Sequence, residues 1–294
     1  MHDNIPKMSL TIRHLESSEE ITAVEELQKQ IWSGSDIEVV PTHMLLAAVH
    51  GGGLLLGAYD GDVLVGFVFG FPGFELKADH MEFQHCSHMA GVLPDYRDSG
   101  VGFLLKRAQW QMVRRQGIER ITWTYDPLQS RNAKLNIAKL GAVCNTYLPN
   151  YYGELRDDIN LGIPSDRFQV DWWLNSSRVK RRLSKSPRKK LDLAHYLSAN
   201  ITRLNETQLD SAGLIAPCPI EISISSEPLL LLELPAEFAV IKTANPALAL
   251  EWRMHTRTIF QEVFAVGYLV TDFVFLEGSQ PRSYYVLSYG DGTL

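Results

Sequence analysis

The chain has 294 residues, 45% of them hydrophobic and 21% charged, with a formal net charge of −6. That balance suits a soluble globular protein of one large or two smaller domains and argues against bulk nucleic-acid binding. The three cysteines, Cys86, Cys144 and Cys218, are odd in number and far apart. They form neither a disulfide framework nor a zinc spacing, so a reducing compartment is expected. The N-terminal stretch lacks the apolar core of a signal peptide, and the longest apolar runs are too interrupted to span a bilayer. The expectation is a cytoplasmic protein without a membrane partner.

In chain order, "LTIRHL" (10–15) alternates as a strand. "SSEEITAVEELQKQIW" (17–32) carries serines at a cap and Ile21, Val24, Leu27 and Ile31 on one face, which predicts an amphipathic helix. "PTHMLLAAVHGGG" (41–53) reads as a second, short helix between proline and glycine. "LLLGAY" and "VLVGFVFGF" are strands joined by "DGD", and a third strand runs from near Glu82 to "MAGVL". A helix then begins near Ser99, with Val101, Leu104, Leu105, Ala108 and Met112 as its apolar stripe and Gly117 at its end. "IERITWTY" is a strand, "RNAKLNIAKL" a helix capped by Ser130, and "AVCNTYL" and "FQVDWWL" two strands.

"RVKRRLSKSPRKK" (178–190) holds eight basic residues and no acidic one. It reads as a solvated linker between a domain at 8–177 and a second α/β block at 191–294. That block shows a helix in "RKKLDLAHYLSA", strands in "IEISI" and "LLLLELP", a long helix (246–265) and strands in "GYLVTDFVFLE" and "SYYVLSY". "RAQWQMVRRQG" (107–117) aligns without gaps on "RTIFQEVFAVG" (257–267), which raises the prospect of a worn internal repeat.

The informative stretch is "GVLPDYRDSGVGFLL". A strand ends at Leu93 and a helix opens after a short turn. Turn amides and a helix N-terminus together attract an anion. Gly100 and Gly102 let a diphosphate approach the backbone, and Arg97 adds positive charge. The pattern is not a Walker loop, and it lacks the third glycine of a dinucleotide fingerprint.

Residues 8–175 resemble the GCN5-related N-acetyltransferases (GNAT enzymes), whose signature Arg/Gln-x-x-Gly-x-Gly/Ala is met by "R-D-S-G-V-G" (97–102). The element order agrees, and Ala133, Leu140 and Gly141 fall where the family often writes a motif ending in Leu-Gly-Phe. The resemblance implies an α/β fold built on a mixed sheet, with the second block as a C-terminal extension; a degenerate half-GNAT repeat is one reading of that block. It implies acetyl-CoA or another acyl-CoA as cosubstrate. Gly91, Val92, Arg97, Asp98, Ser99, Gly100, Val101 and Gly102 are the expected cofactor residues, joined by Asn132 at the start of the next helix. It implies N-acyl transfer to a small amine or amino acid, with acetyl- or succinyl-CoA as donor. The second block lacks a glycine turn, since "KTANPALAL" stands where one is needed, so it is expected to cover the acceptor pocket or form a homodimer contact.

Direct transfer needs a base to take the amine proton and a donor for the developing oxyanion. On "MEFQHCSHMAGVL", alternation groups Glu82, Gln84, Cys86, His88 and Ala90 on one face. His88 lies nine residues before Arg97, an offset that arylalkylamine-type acetyltransferases use for an active-site histidine. It is the leading base or water relay, with Glu82 second; a hydrogen-bonded core histidine is the other reading. Many GNAT enzymes place a tyrosine acid where this chain has Ile137. Tyr147, Tyr151 and Tyr152 are the substitutes, against a reading as strand and loop aromatics. Trp32, Asp36 and Glu38, in the loop between the first two helices, are the expected acceptor contacts; the acids equally suit a plain solvated loop. No metal is expected, because His80, His85 and His88 cannot converge from one strand. The alternative functions are a non-catalytic acyl-CoA-binding regulatory module and an interaction protein that uses the basic run.

Overall fold

The computed structural model describes residues 9–32, 39–153, 163–184, 192–198, 201–219 and 227–290. The chain divides into two compact units between Thr122 and Trp123.

The first unit runs β1 (Leu10–His14), α1 (Ser18–Ile31), α2 (Thr42–His50), β2 (Leu54–Asp60), β3 (Val63–Leu76), β4 (Met81–Val92), a 3₁₀ turn (Pro94–Tyr96), α3 (Val101–Arg115) and the start of β5 (Arg120–Tyr125). The expected order of elements is present. Ser17 caps α1 in a capping box with Glu20, so two orphan helix N–H groups are satisfied at the predicted position. The sheet order is β1-β2-β3-β4-β5. Successive strand residues face opposite sides. Leu55, Phe67 and Phe69 therefore pack with Ile21, Val24, Leu27 and Leu45 of α1 and α2, while Leu56, Ala58, Val65 and Val68 pack with Val101 and Leu105 of α3. Each buried Val, Leu, Ile or Phe side chain among these contributes about 1.5–3 kcal/mol.

Two features of this sheet position the site. Phe69 pairs with Met89 and Phe71 with Cys86, so β4 carries one extra residue opposite Gly70. This is a β-bulge, which locally flips the alternation. His88 then shares its face with Met89 and Gly91 rather than with Ala90, a correction to strict alternation. The second feature is the short parallel register of β4 with β5, which covers only His85↔Ile121 and Cys86↔Thr122. Beyond Cys86 the described pairing of β4 is with β3 alone.

The second unit continues through the end of β5, α4 (Ser130–Ala133, running on as a π-turn over Lys134–Lys139), β6 (Val143–Leu148), β7 (Arg167–Trp173), α5 (Ser177–Arg182), α6 (Leu193–Ser198), β8 (Thr202–Arg203), β9 (Thr207–Leu209), β10 (Ile215–Pro217), β11 (Leu229–Pro235), α7 (Phe238–Ala244), α8 (Pro246–Ala265), β12 (Tyr268–Leu276) and β13 (Arg282–Tyr289). Its sheet order from β5 is β5-β7-β6-β12-β13-β11-β8, with a separate β9–β10 hairpin. Residues 220–224, expected as a strand, lie outside the described residues.

The basic run is not a simple linker. Its first half forms α5, where Val179 and Leu183 are buried. Arg178 donates to the Gly141 carbonyl at 3.1 Å, and Arg182 pairs with Asp272 at 2.6 Å. Charge density alone misses this, because Arg178 and Arg182 each have a specific acceptor. The compact division accordingly falls inside β5 and not at 178–190; residues 185–190 lie outside the described residues.

The helix α8 is pinned by two arginines one turn apart. Arg253 is buried and grips Asp126 with both terminal nitrogens, at 2.8 and 2.6 Å. Arg257 grips Asp166 at 2.8 and 2.6 Å. Removing one partner from such a buried pair costs about 3–5 kcal/mol.

Gly70 shows how tightly the bulge is packed. A Cβ there would stand 2.3 Å from His85 Nε2 and 2.6 Å from the Cys86 carbonyl oxygen. Gly70→Ala is expected to cost about 1–3 kcal/mol by overpacking. A urea midpoint equal to that of the parent would show that the bulge tolerates the methyl group.

Candidate active site

Between β4 and α3 the chain makes the turn singled out in the sequence. Leu93 ends the strand, Pro94–Tyr96 form one 3₁₀ turn, and α3 starts at Val101 rather than near Ser99. Gly100 is the N-cap at φ 94°, and Asp98 is also left-handed at φ 63°. Asp tolerates this region and glycine adopts it freely. No side chain caps α3. The first N–H groups of this 15-residue helix therefore lack intrahelical partners and lie at the positive end of the helix dipole. No atom lies within 4 Å of where a Gly100 Cβ would stand. Open space, amides with no intrahelical partner and a left-handed glycine together make this turn suited to an anion.

The neighbouring side chains brace the turn. The Arg97 Nε donates to the Val92 carbonyl at 3.3 Å, and Ser99 Oγ to the Tyr96 carbonyl at 2.5 Å. Arg97, Asp98 and Ser99 are exposed. Gly91 has a packing role: a Cβ there would meet Ile31 at 2.8 Å and Trp32 at 3.0 Å. It lets the end of α1 settle on β4. Trp32 is half-buried and packs edge-on to Phe67 with centroids 5.9 Å apart, so much of it belongs to the core. Asp36 and Glu38 lie outside the described residues.

His88 sits at the bulge. Its ring lies 6.0 Å from the Phe69 centroid and 6.1 Å from that of Phe71. One side stays open to solvent. Partial desolvation by its surroundings lowers its pKa below the usual 6.5. The ring is thus neutral at pH 7, with a lone pair available to accept a proton. Glu82 is elsewhere: six residues along an extended strand is about 20 Å. It lies 3.8 Å from Arg120 and 4.0 Å from Lys77, and it does not share a reacting atom with His88.

A buried polar network behind the bulge escaped the sequence reading. The Lys106 Nζ donates to Ser87 Oγ at 2.7 Å and to Gln109 Oε1 at 3.2 Å. The Gln109 amide lies 3.2 Å from His85 Nε2, while His85 Nδ1 is buried without a hydrogen-bond partner among the described residues. Burial lowers Lys106 to about 7 and His85 to about 3. The network ties Ser87, next to His88, to α3. The available clue was the pattern of α3, whose buried positions are Val101, Leu105, Lys106, Gln109 and Val113 rather than an all-apolar stripe.

The tyrosines fall in the second unit. Tyr147 donates to Asp166 Oδ2 at 2.6 Å, and Asp166 is held by Arg257. Burial, then the Asp166 carboxylate, raises the phenol well above its usual value. Such a phenol is a poor acid while its proton is committed to Asp166. Tyr151 is exposed and touches Tyr152 edge-on at 4.8 Å; the Tyr152 hydroxyl lies 3.0 Å from Thr124 Oγ1. Ile137 is fully buried within the π-turn after α4. Asn132 is exposed on the first turn of α4. Among the described residues no cluster of three metal-ligating side chains occurs, and no helix is long and apolar enough to cross a membrane.

Residues 19–141 match the family model described as the Acetyltransferase (GNAT) family. This segment is similar to a GNAT acetyltransferase domain, and it contains the whole turn and all of β4. No curated protein matches the sequence. Similar solved structures include yncA from Salmonella typhimurium, solved with its cofactor acetyl-CoA (17% identity, 57% of this chain and 95% of that one, TM-score 0.46). Others are NAA60 of Arabidopsis thaliana in complex with acetyl-CoA (14%, 56% and 99%, 0.45) and Ard1 from Thermoplasma volcanium (20%, 55% and 96%, 0.39).

Two outcomes check this site. Gly100→Val forces a branched residue to φ 94° and crowds the seat, so calorimetry should show at least tenfold weaker acetyl-CoA binding with a stability loss of only about 1–3 kcal/mol. Unchanged affinity would place the phosphates elsewhere. Tyr147→Phe should leave kcat within a few-fold of the parent; a loss of about a hundredfold or more, of the size expected for a missing general acid, would restore Tyr147 as the proton donor.

Proposed function

We propose that the GNAT domain transfers an acetyl or succinyl group from CoA to the amine of a small molecule or amino acid by direct attack, with His88 as base or water relay. The observation that carries this reading is the pairing of a phosphate seat at 97–102 with a neutral, solvent-reaching histidine on the strand leading into it.

The pyrophosphate of acyl-CoA would rest on the amides of Val101 and Gly102, with Arg97 nearby. The pantetheine arm is extended and carries amides. It would bond the backbone edge of β4 beyond Cys86, where the register with β5 has ended. The thioester then lies toward the bulge. The acceptor nitrogen attacks the carbonyl carbon while its proton passes to His88, directly or through water. A β4 backbone N–H near the bulge is the donor for the oxyanion. The C–S bond breaks and CoA leaves as thiolate. With Ile137 buried and Tyr147 committed to Asp166, solvent supplies the proton. A thiol pKa near 8.5 makes the thiolate a competent leaving group at neutral pH. The missing phenol equally motivates a second reading, an acyl-CoA-binding module without turnover.

The test is CoA-thiol release from acetyl- and succinyl-CoA against amino acids and polyamines. Acceptor-dependent release is expected. Because the lowered pKa of His88 keeps it unprotonated into mild acid, the acid limb of kcat/KM should fall below pH 6.5. His88→Gln should cost about 10²–10⁴ in rate and abolish that limb. Tight CoA binding with no release from any acceptor would favour the regulatory module.

A further inference from the structure

The C-terminal block repeats the topology of the acyl-CoA half of the fold, and the repeat ends in a cavity. In the first arrangement β4 runs parallel to β5 for two residue pairs, then β5, α4, β6 and β7 follow, with β7 antiparallel to β6 in the order β5-β7-β6. In the second, β8 runs parallel to β11 for two pairs, Thr202↔Leu230 and Arg203↔Leu231. The helices α7 and α8, then β12 and β13, follow in the order β11-β13-β12, with β13 antiparallel to both. The copies meet where β6 pairs with β12, at Cys144↔Val270. This changes the repeat seen in the sequence. The helix α8 takes the place of α4, not of α3, and the β9–β10 hairpin stands where the phosphate turn and α3 would be.

The chain has built this second strand divergence with care. Beyond Leu204 the Asn205 side chain replaces the departing strand. It donates to the Glu233 carbonyl at 3.0 Å and accepts from the Glu233 amide at 2.9 Å. The cleft past this point is a cavity of about 460 Å³, walled by Leu209, Leu214, Glu237, Val240 and Arg282. That volume lies within the range of small-molecule sites. Glu233 is buried and grips Arg282 through Nε and Nη2, at 2.6 and 2.5 Å, with Thr207 donating to it at 3.2 Å. Arg282 is thereby fixed at the wall. Its Nη1 has no protein partner among the described residues, and its side chain is 41% exposed.

We propose that this cavity binds a free α-amino acid with an apolar side chain. The Arg282 Nη1 would donate to the carboxylate, Glu237 would receive the ammonium, and Leu209, Leu214 and Val240 would hold the side chain. Glu233, Glu237 and Arg282 together carry one net negative charge, which disfavours a diphosphate and so a second CoA. The proposal does not depend on the transfer reaction.

Calorimetry of the full chain without acyl-CoA, titrated with the L-amino acids one at a time, tests it. Saturable one-to-one binding of an apolar member is expected. Glu237→Gln should weaken it at least tenfold, and Val240→Trp, a bulky change at an exposed position, should abolish it by filling the cavity. Arg282 is left intact, because its loss would strand the buried Glu233. Failure of every amino acid to bind, or binding that survives Val240→Trp, would overturn the proposal; the latter places the ligand in another pocket.

Discussion

One extra residue in β4 organises the candidate site. The bulge opposite Gly70 coincides with the end of the β5 register, and among the described residues β4 has no further pairing with β5 along that edge. It turns His88 onto the face of Phe69 and Phe71 while Ser87 stays on the opposite face, tied to Lys106. A bulge is soft unless something over-determines it. Here Gly70, the Lys106–Gln109–His85 network and the Gly91 approach to Trp32 all constrain the same short stretch. The stretch then runs into the turn proposed to seat the phosphate, so strand geometry and the proposed anion site are parts of one construction.

Much of this was legible in the sequence. Glycine at a turn carries a definite backbone meaning, and Gly100 is left-handed as its setting required. Amphipathic periodicity and capping found α1, α2 and α3, since those signals are local. The bulge was not legible. Strict alternation is the default for a strand, and one inserted residue leaves no compositional trace. Lys106 and Gln109 were missed for a related reason: polar residues at helical spacing read as a solvated face until a facing strand supplies their partners.

The basic run teaches the same point from the other side. Its charges suggested a connector, yet Arg178 and Arg182 have individual acceptors, and Val179 and Leu183 are core residues. Likewise a weak sequence match suggested a repeat, but strand order, not helix composition, identifies which elements correspond. Topology preserves a duplication after side chains have diverged, because pairing order is costly to change while surface residues are not. The hairpin in place of the phosphate turn explains why the second copy carries no glycine seat.

The central claim is that the amides opening α3 hold the diphosphate of an acyl-CoA. A crystal structure of the complex with acetyl-CoA tests it most directly. The account predicts pyrophosphate oxygens within about 3.2 Å of the backbone nitrogens at Val101 and Gly102, with the pantetheine arm along β4. Diphosphate density away from this turn, with these amides facing only water, would contradict it.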